Sequence, residues 1–131
     1  MALDPRNLSD DVTAFVTERH LATLTTLRPD GTLHVVAVGF TWDPDESLVR
    51  VITFAPSRKA RNVVAQPGGP AAVCQVDGGR WLTAEGTATV TNDPVRVAEA
   101  VRRYAERYSQ PKERTDRVVI EIAVDRMMGR A

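Results

Sequence analysis

Four clusters of turn-forming residues cut this chain into short pieces and limit what it can fold into. They are Pro29-Asp30-Gly31, Asp43-Pro44-Asp45-Glu46, Pro67-Gly68-Gly69-Pro70 and Asp77-Gly78-Gly79. Glycine supplies backbone angles other residues avoid, proline fixes one angle, and aspartate bonds to its own backbone, so such clusters reverse the chain. Between them lie runs rich in Leu, Val and Thr: Leu21 to Arg28, Leu33 to Trp42, Leu48 to Phe54, Ala71 to Val76 and Arg80 to Val90. Each reads as a strand, and the first three read as an antiparallel meander. Gly86, inside the fifth run, marks a bulge or bend. Arg117 to Val124 reads as a sixth strand, followed by a short tail.

Helix signals fill the gaps. Ser9 precedes Asp10 and Asp11, a cap and two acids suited to the positive end of a helix, and Val12, Phe15 and Val16 then share a face. That helix is expected to end near Arg19 or His20. Ser57 caps a second helix over Arg58 to Gln66. Asn92 is the expected cap of a third, with Pro94 in its first turn and Val97, Val101, Tyr104 and Tyr108 at helical spacing. The expected fold is mainly β (α+β): six antiparallel strands with short helices, forming one small barrel domain over residues 1–131. A core this small favours dimerisation to bury more surface.

Composition narrows the function. Lys+Arg and Asp+Glu are 17 each, so the basic excess of a general nucleic-acid binder is absent. One cysteine, Cys74, excludes an internal disulfide and any multi-cysteine zinc site, and two histidines are too few for a histidine-rich metal centre. No apolar run approaches the roughly 20 residues of a membrane span. Met1 to Pro5 lacks the apolar core of a signal peptide, so a cytoplasmic protein is expected. Neither a P-loop nor HExxH, GxGxxG or GxSxG is present, and no acid pair stands out as a catalytic dyad. An enzyme built on this chain leaves the hard chemistry to a bound cofactor, with no catalytic side chain of its own assigned.

The most informative segment is Ser57-Arg58-Lys59-Ala60-Arg61-Asn62. It sets cations in the first turn of a helix whose N-terminus is already positive. An anion there reverses the sign of the effect, and free N–H groups, a hydroxyl and a Lys/Arg pair suit a phosphate. The other reading is a solvated basic patch. Lys59 draws notice because the chain has only two lysines against fifteen arginines. Gly39 permits close approach of a ring or a backbone, or marks a bulge. Trp42 and Trp81 read as core or interface residues before they read as stacking platforms. His34 reads as a surface histidine or a proton donor. Cys74 reads as a small buried apolar group, and the acids of Asp43 to Glu46 as solvated turn residues.

The order ATLTTLRPDGTLHVVAVGFTWD, LVRVITFAPSRKARNV, AAVCQVDGGRWLTAEGTATV resembles the split β-barrel flavin/deazaflavin oxidoreductase family, related to pyridoxamine 5′-phosphate oxidase. The PDG hairpin, the S-x-K-x-x-N segment and RWLTAEGTA carry the resemblance from about Leu8 to Gly129. DGGRWLTAEG and the RVVIEI…MG ending are most similar to the small actinobacterial members that use the deazaflavin F420. The resemblance implies a homodimer with sites at the subunit interface and hydride transfer to a small conjugated substrate, biliverdin first. It places Ser57, Arg58, Lys59 and Asn62 on the cofactor phosphate. Val38, Gly39 and Phe40 are set beside the tricyclic ring, with Ile52 and Thr53 at its polar edge. Gln75 and Trp81 are expected to reach in from the partner subunit. Arg61, Arg80 and His34 are the expected substrate contacts. FMN is the alternative cofactor, and a non-catalytic cofactor or tetrapyrrole carrier the alternative function. The Arg-x-His substrate motif of the true oxidases is missing from the ending Asp125-Arg126-Met127-Met128-Gly129.

Overall fold

The computed structural model describes residues 1–131. In chain order the elements are β1 (Ala2–Leu3), α1 (Asp10–Thr17), β2 (Ala22–Leu27), β3 (Leu33–Val38), β4 (Thr41–Asp43), β5 (Leu48–Phe54), α2 (Arg58–Ala65), β6 (Gly69–Asp77), β7 (Arg80–Thr91), α3 (Pro94–Arg107) and β8 (Arg117–Arg130). All strands join one antiparallel sheet in the order β3-β2-β6-β7-β8-β5-β4, with β1 paired to the far end of β8. The chain is thus mainly antiparallel β with three helices, as expected, but it has eight strands rather than six. The ladder is not closed: β3 and β4 are its two edges.

The second expected strand, Leu33 to Trp42, is two strands. β3 pairs with β2, whereas β4 pairs with β5 at the opposite edge, so the first three runs do not form a meander. Tyr108 is the cause of the break. Its hydroxyl accepts from the Phe40 N–H at 3.1 Å and lies 2.9 Å from the Phe40 carbonyl and 2.8 Å from that of His20. Arg107 also donates to the Phe40 carbonyl, at 2.6 Å. The groups that Phe40 would offer a neighbouring strand are already taken. Gly39 makes room for this, because a Cβ there would sit 3.0 Å from the Tyr108 ring. Only two residues separate β3 from β4, so the sheet curves until its edges face the same stretch of chain.

The helices start much as the sequence predicts. Ser9 and Ser57 cap α1 and α2, accepting from the N–H groups of Val12 and Ala60. The cap of α3 is Asp93 rather than Asn92, its carboxylate accepting from the Arg96 N–H at 3.0 Å. The tail expected after Val124 is strand as far as Arg130. The bulge falls at Glu85/Gly86 as expected. A Cβ on Gly86 would lie 1.9 Å from the Ala123 carbonyl oxygen, so β8 can cross there only against glycine.

Inward side chains of the sheet build the core together with α1 and the β3–β4 connection, and Phe15, Phe40, Leu24, Leu82, Ile120, Ile122 and Met127 are almost fully covered. The outer face is treated unequally. Over β4, β5 and β8 it is covered by α3, which reaches down through Arg103 to Asp43 and through Arg96 to Glu121. That is why four successive residues of β5, Leu48 to Arg50 and Val51, are all buried. Over β3, β2 and β6 no helix lies on it, and Leu21, Leu33, Val35 and Val76 are 59%, 64%, 57% and 62% exposed.

Candidate functional site

The N-terminus of α2 gathers most of the polar groups singled out from the sequence. β5 delivers Thr53, whose hydroxyl donates to Ser57 Oγ at 3.0 Å, and both residues are buried. Ser57 Oγ in turn accepts from the Ala60 N–H at 3.3 Å. One turn on, Asn62 is 1% exposed and its Nδ2 donates to Thr26 Oγ1 at 3.1 Å, tying α2 to β2. His34 lies directly across the β2–β3 ladder from Thr26. Two buried atoms in this group have no hydrogen-bond partner: Asn62 Oδ1 and His34 Nδ1. Buried polar atoms without a partner are rare in folded proteins, so each marks a place where a bonding group is due.

The charge here is of one sign. Arg58, Lys59 and Arg61 sit in the first half of α2 and Arg28 just beyond β2, and none of the four forms an ion pair with a carboxylate. The first turn of α2 contains no acid, unlike that of α1 with Asp10 and Asp11. Cations at this end oppose the helix dipole. Lys59 is half-buried with its Nζ 5.8 Å from the centre of the Phe54 ring, and burial pulls its pKa below the usual lysine value. Arg114 covers Phe54 more closely, at 4.2 Å. Burial, then Arg28, Lys59 and Arg58, hold His34 below the ordinary histidine pKa. A pocket of uncompensated positive charge with free helix N–H groups is suited to an oxyanion.

The remaining predicted residues lie elsewhere. Val38 and Phe40 are buried, and the space beside Gly39 is filled by Tyr104 and Tyr108 rather than left open to a ring. Ile52 shares the face of Arg50, opposite to that of Thr53. Gln75 is fully buried, with Nε2 donating to the Phe15 carbonyl at 2.8 Å and Oε1 accepting from Arg107. It pairs with Ala22, four residues or about 13 Å along β2 from Thr26. A side chain so engaged within its own chain does not extend to a partner. Arg80 pairs with Asp77 at 2.6 Å and Glu18 at 3.3 Å, and stacks on Phe15 at 4.6 Å. Trp81 is half-buried beside Val76 on β6, in the same sheet region as Leu21 and Cys74.

Two functional-looking groups were missed. Asp43, expected to be solvated, is 3% exposed and bonds to Arg50 at 2.8 Å, with Arg103 at 3.3 Å. Burial pushes its carboxyl up, but Arg50, Arg103 and two backbone N–H groups outweigh that and hold it below the usual range. Thr26 and Arg28 complete the α2 cluster, and the only local hint of them was their place on the strand facing His34 across a tight turn.

The fold is a mainly antiparallel, eight-stranded sheet with three helices, and the start of α2 brings its cations together beside it. The family model described as pyridoxamine 5′-phosphate oxidase matches residues 8–130, and the chain belongs to that family. Within it, the chain is 53% identical over 124 residues to the F420H(2)-dependent biliverdin reductase of Mycobacterium tuberculosis (strain CDC 1551 / Oshkosh), covering 95% of this chain and 89% of that one. Among solved structures it superposes on an F420 reductase with TM-score 0.73 and 24% identity, covering 92% of this chain and 98% of the other. It also superposes on HutZ, the heme storage protein from Vibrio cholerae, with TM-score 0.74 and 18% identity over 95% of both chains.

Proposed function

We propose that this protein is an F420-dependent reductase that reduces a conjugated small molecule, biliverdin first among them. The observation that carries the reading is the cationic, acid-free start of α2 with the buried, unpartnered His34 Nδ1 beside it, in a chain 53% identical to a reductase of that name. The residues fit the cofactor's phosphate: Ser57 and the free N–H groups of α2 receive its oxygens, Lys59 and Arg58 balance its charge, and Asn62 fixes the helix to β2. The chemistry supplied by that cofactor when bound is hydride donation to an electrophilic carbon of the substrate. Arg61 is exposed near the same helix start, and guanidinium suits the carboxylates of a substrate. Thr53 holds Ser57 in place from below.

The finer architecture belongs to the same proposal. The chain is a single split-barrel domain acting in the cytoplasm as a homodimer. Support for the dimer is the uncovered apolar sheet face at Leu21, Leu33, Val35 and Val76. Trp81 lies in that half of the sheet, half-buried, and contributes to the site from the partner subunit. No helix is long and apolar enough to cross a membrane.

The test is a fluorescence titration with F420 and, separately, FMN, followed by biliverdin reduction with F420H2 monitored by absorbance. Expected are micromolar or tighter F420 binding, FMN at least about tenfold weaker, and turnover. Preference for FMN moves the protein to the flavin branch. Tight F420 binding without reduction of any tetrapyrrole, quinone or enone makes it a carrier.

A further inference from the structure

His34 is the one titratable group at the α2 cluster that has no bonding partner for a buried nitrogen. It stands across the ladder from Thr26, whose hydroxyl holds the Asn62 amide of α2. The charged groups that bear on its ring are Arg28, following β2, and Arg58 and Lys59, opening α2, with no carboxylate among them. A fourth positive charge cannot be added cheaply to three existing ones, so the free ring stays neutral, and its buried Nδ1 accepts no proton from any neighbour. An oxyanion changes the balance. It offsets the cations and offers an acceptor, so the protonated ring becomes the favoured form and the bond between them is charge-assisted.

We propose that an oxyanion seated at the start of α2 binds together with one proton, which His34 takes from solvent, so that the site holds anions more tightly as pH falls through the neutral range. The inference rests on the anion-binding reading of α2 above and adds the residue that titrates. No covalent bond is made or broken apart from the N–H formed on the ring. A consequence for the cofactor is that His34 acts as a positioning residue for its phosphate rather than as a substrate contact.

Sulfate is the probe, because it does not itself titrate near neutral pH. Calorimetric titration of the whole protein at constant ionic strength, in two buffers of different ionisation enthalpy, reads the proton count directly. The expected result is proton uptake that approaches one per sulfate at about pH 5.5 and fades by about pH 7.5, with affinity about tenfold weaker at the higher pH. His34→Asn is expected to bind sulfate with no proton uptake and a flat pH profile, and Lys59→Ala to weaken binding at every pH. Because a substitution can disturb the fold, the His34 ring is also titrated by NMR in the unaltered protein, where sulfate is expected to raise its pKa. Sulfate binding without proton uptake, uptake that survives in His34→Asn, or a ring pKa unmoved by sulfate overturns this inference and leaves the anion site standing. Absence of sulfate binding at any pH overturns both.

Discussion

Arg107 carries a positive charge into the interior with no carboxylate to meet it. It is held instead by the carbonyls of Glu18 and Phe40, the amide oxygen of Gln75, and the faces of Phe40 and Tyr108 at 4.7 and 5.2 Å. Glu18 is the C-cap of α1, the negative end of that helix, which helps to offset the charge. Replacing Arg107 by Met takes a donor from three acceptors at once, the buried Gln75 Oε1 among them, and urea unfolding is expected to show a loss of about 3 kcal/mol. Lys59 is the opposite case. Lys59→Ala removes a charge of the wrong sign for its helix, so the cofactor-free protein is expected to melt at the same temperature or slightly higher, while the F420 Kd rises about tenfold or more. An unchanged Kd sinks the phosphate assignment. His34 gives a third residue-scale expectation. Its folded pKa lies below the unfolded value, so the unfolded chain binds the extra proton first. Its contribution to stability is therefore intact above the ordinary histidine pKa and lost as pH falls through and below it, a slope that His34→Asn flattens.

At the scale of elements, what could be read ahead was whatever is decided locally. Turn clusters, the Ser9 and Ser57 caps and Gly86 all act within a few residues, and each appears where the sequence places it. The break after Val38 does not, because its cause is Tyr108, 68 residues away. The cap of α3 was misread by one position, since Asn and Asp stand side by side and either side chain suits the role. Strand β8 runs on through Asp125 and Arg126 because both are outward and exposed, a polar stretch that looks like a tail until its partner β7 is known. Gly86→Ala tests the bulge. A methyl 1.9 Å from the Ala123 oxygen cannot be accommodated without moving β8. The expected cost is about 3 kcal/mol, read as a drop in thermal midpoint, with loss of ordered signals at Ala123 and Val124.

At the scale of the molecule, the cationic cluster at the start of α2 was legible because the mismatch between helix dipole and charge is written in six consecutive residues. Gln75 and Arg80 were not, because nothing local distinguishes a buried amide staple or a surface ion pair from a ligand contact. The uncovered half of the sheet gives a prediction that belongs here. Val35→Glu places a charge in the middle of that face, and sedimentation equilibrium is expected to show dimer giving way to monomer, with F420 affinity falling alongside. A monomeric unaltered protein with full affinity overturns the dimer. The position of β8 has its own consequence. It pairs with β7 on one side and with β5 and β1 on the other, so no other strand joins the two parts of the sheet. During synthesis, β5 and β7 therefore leave the ribosome with open edges that nothing already made can cover. The sheet cannot be joined step by step as the chain emerges; it waits for residues 117–130, and until then two unpaired strand edges are open to wrong partners.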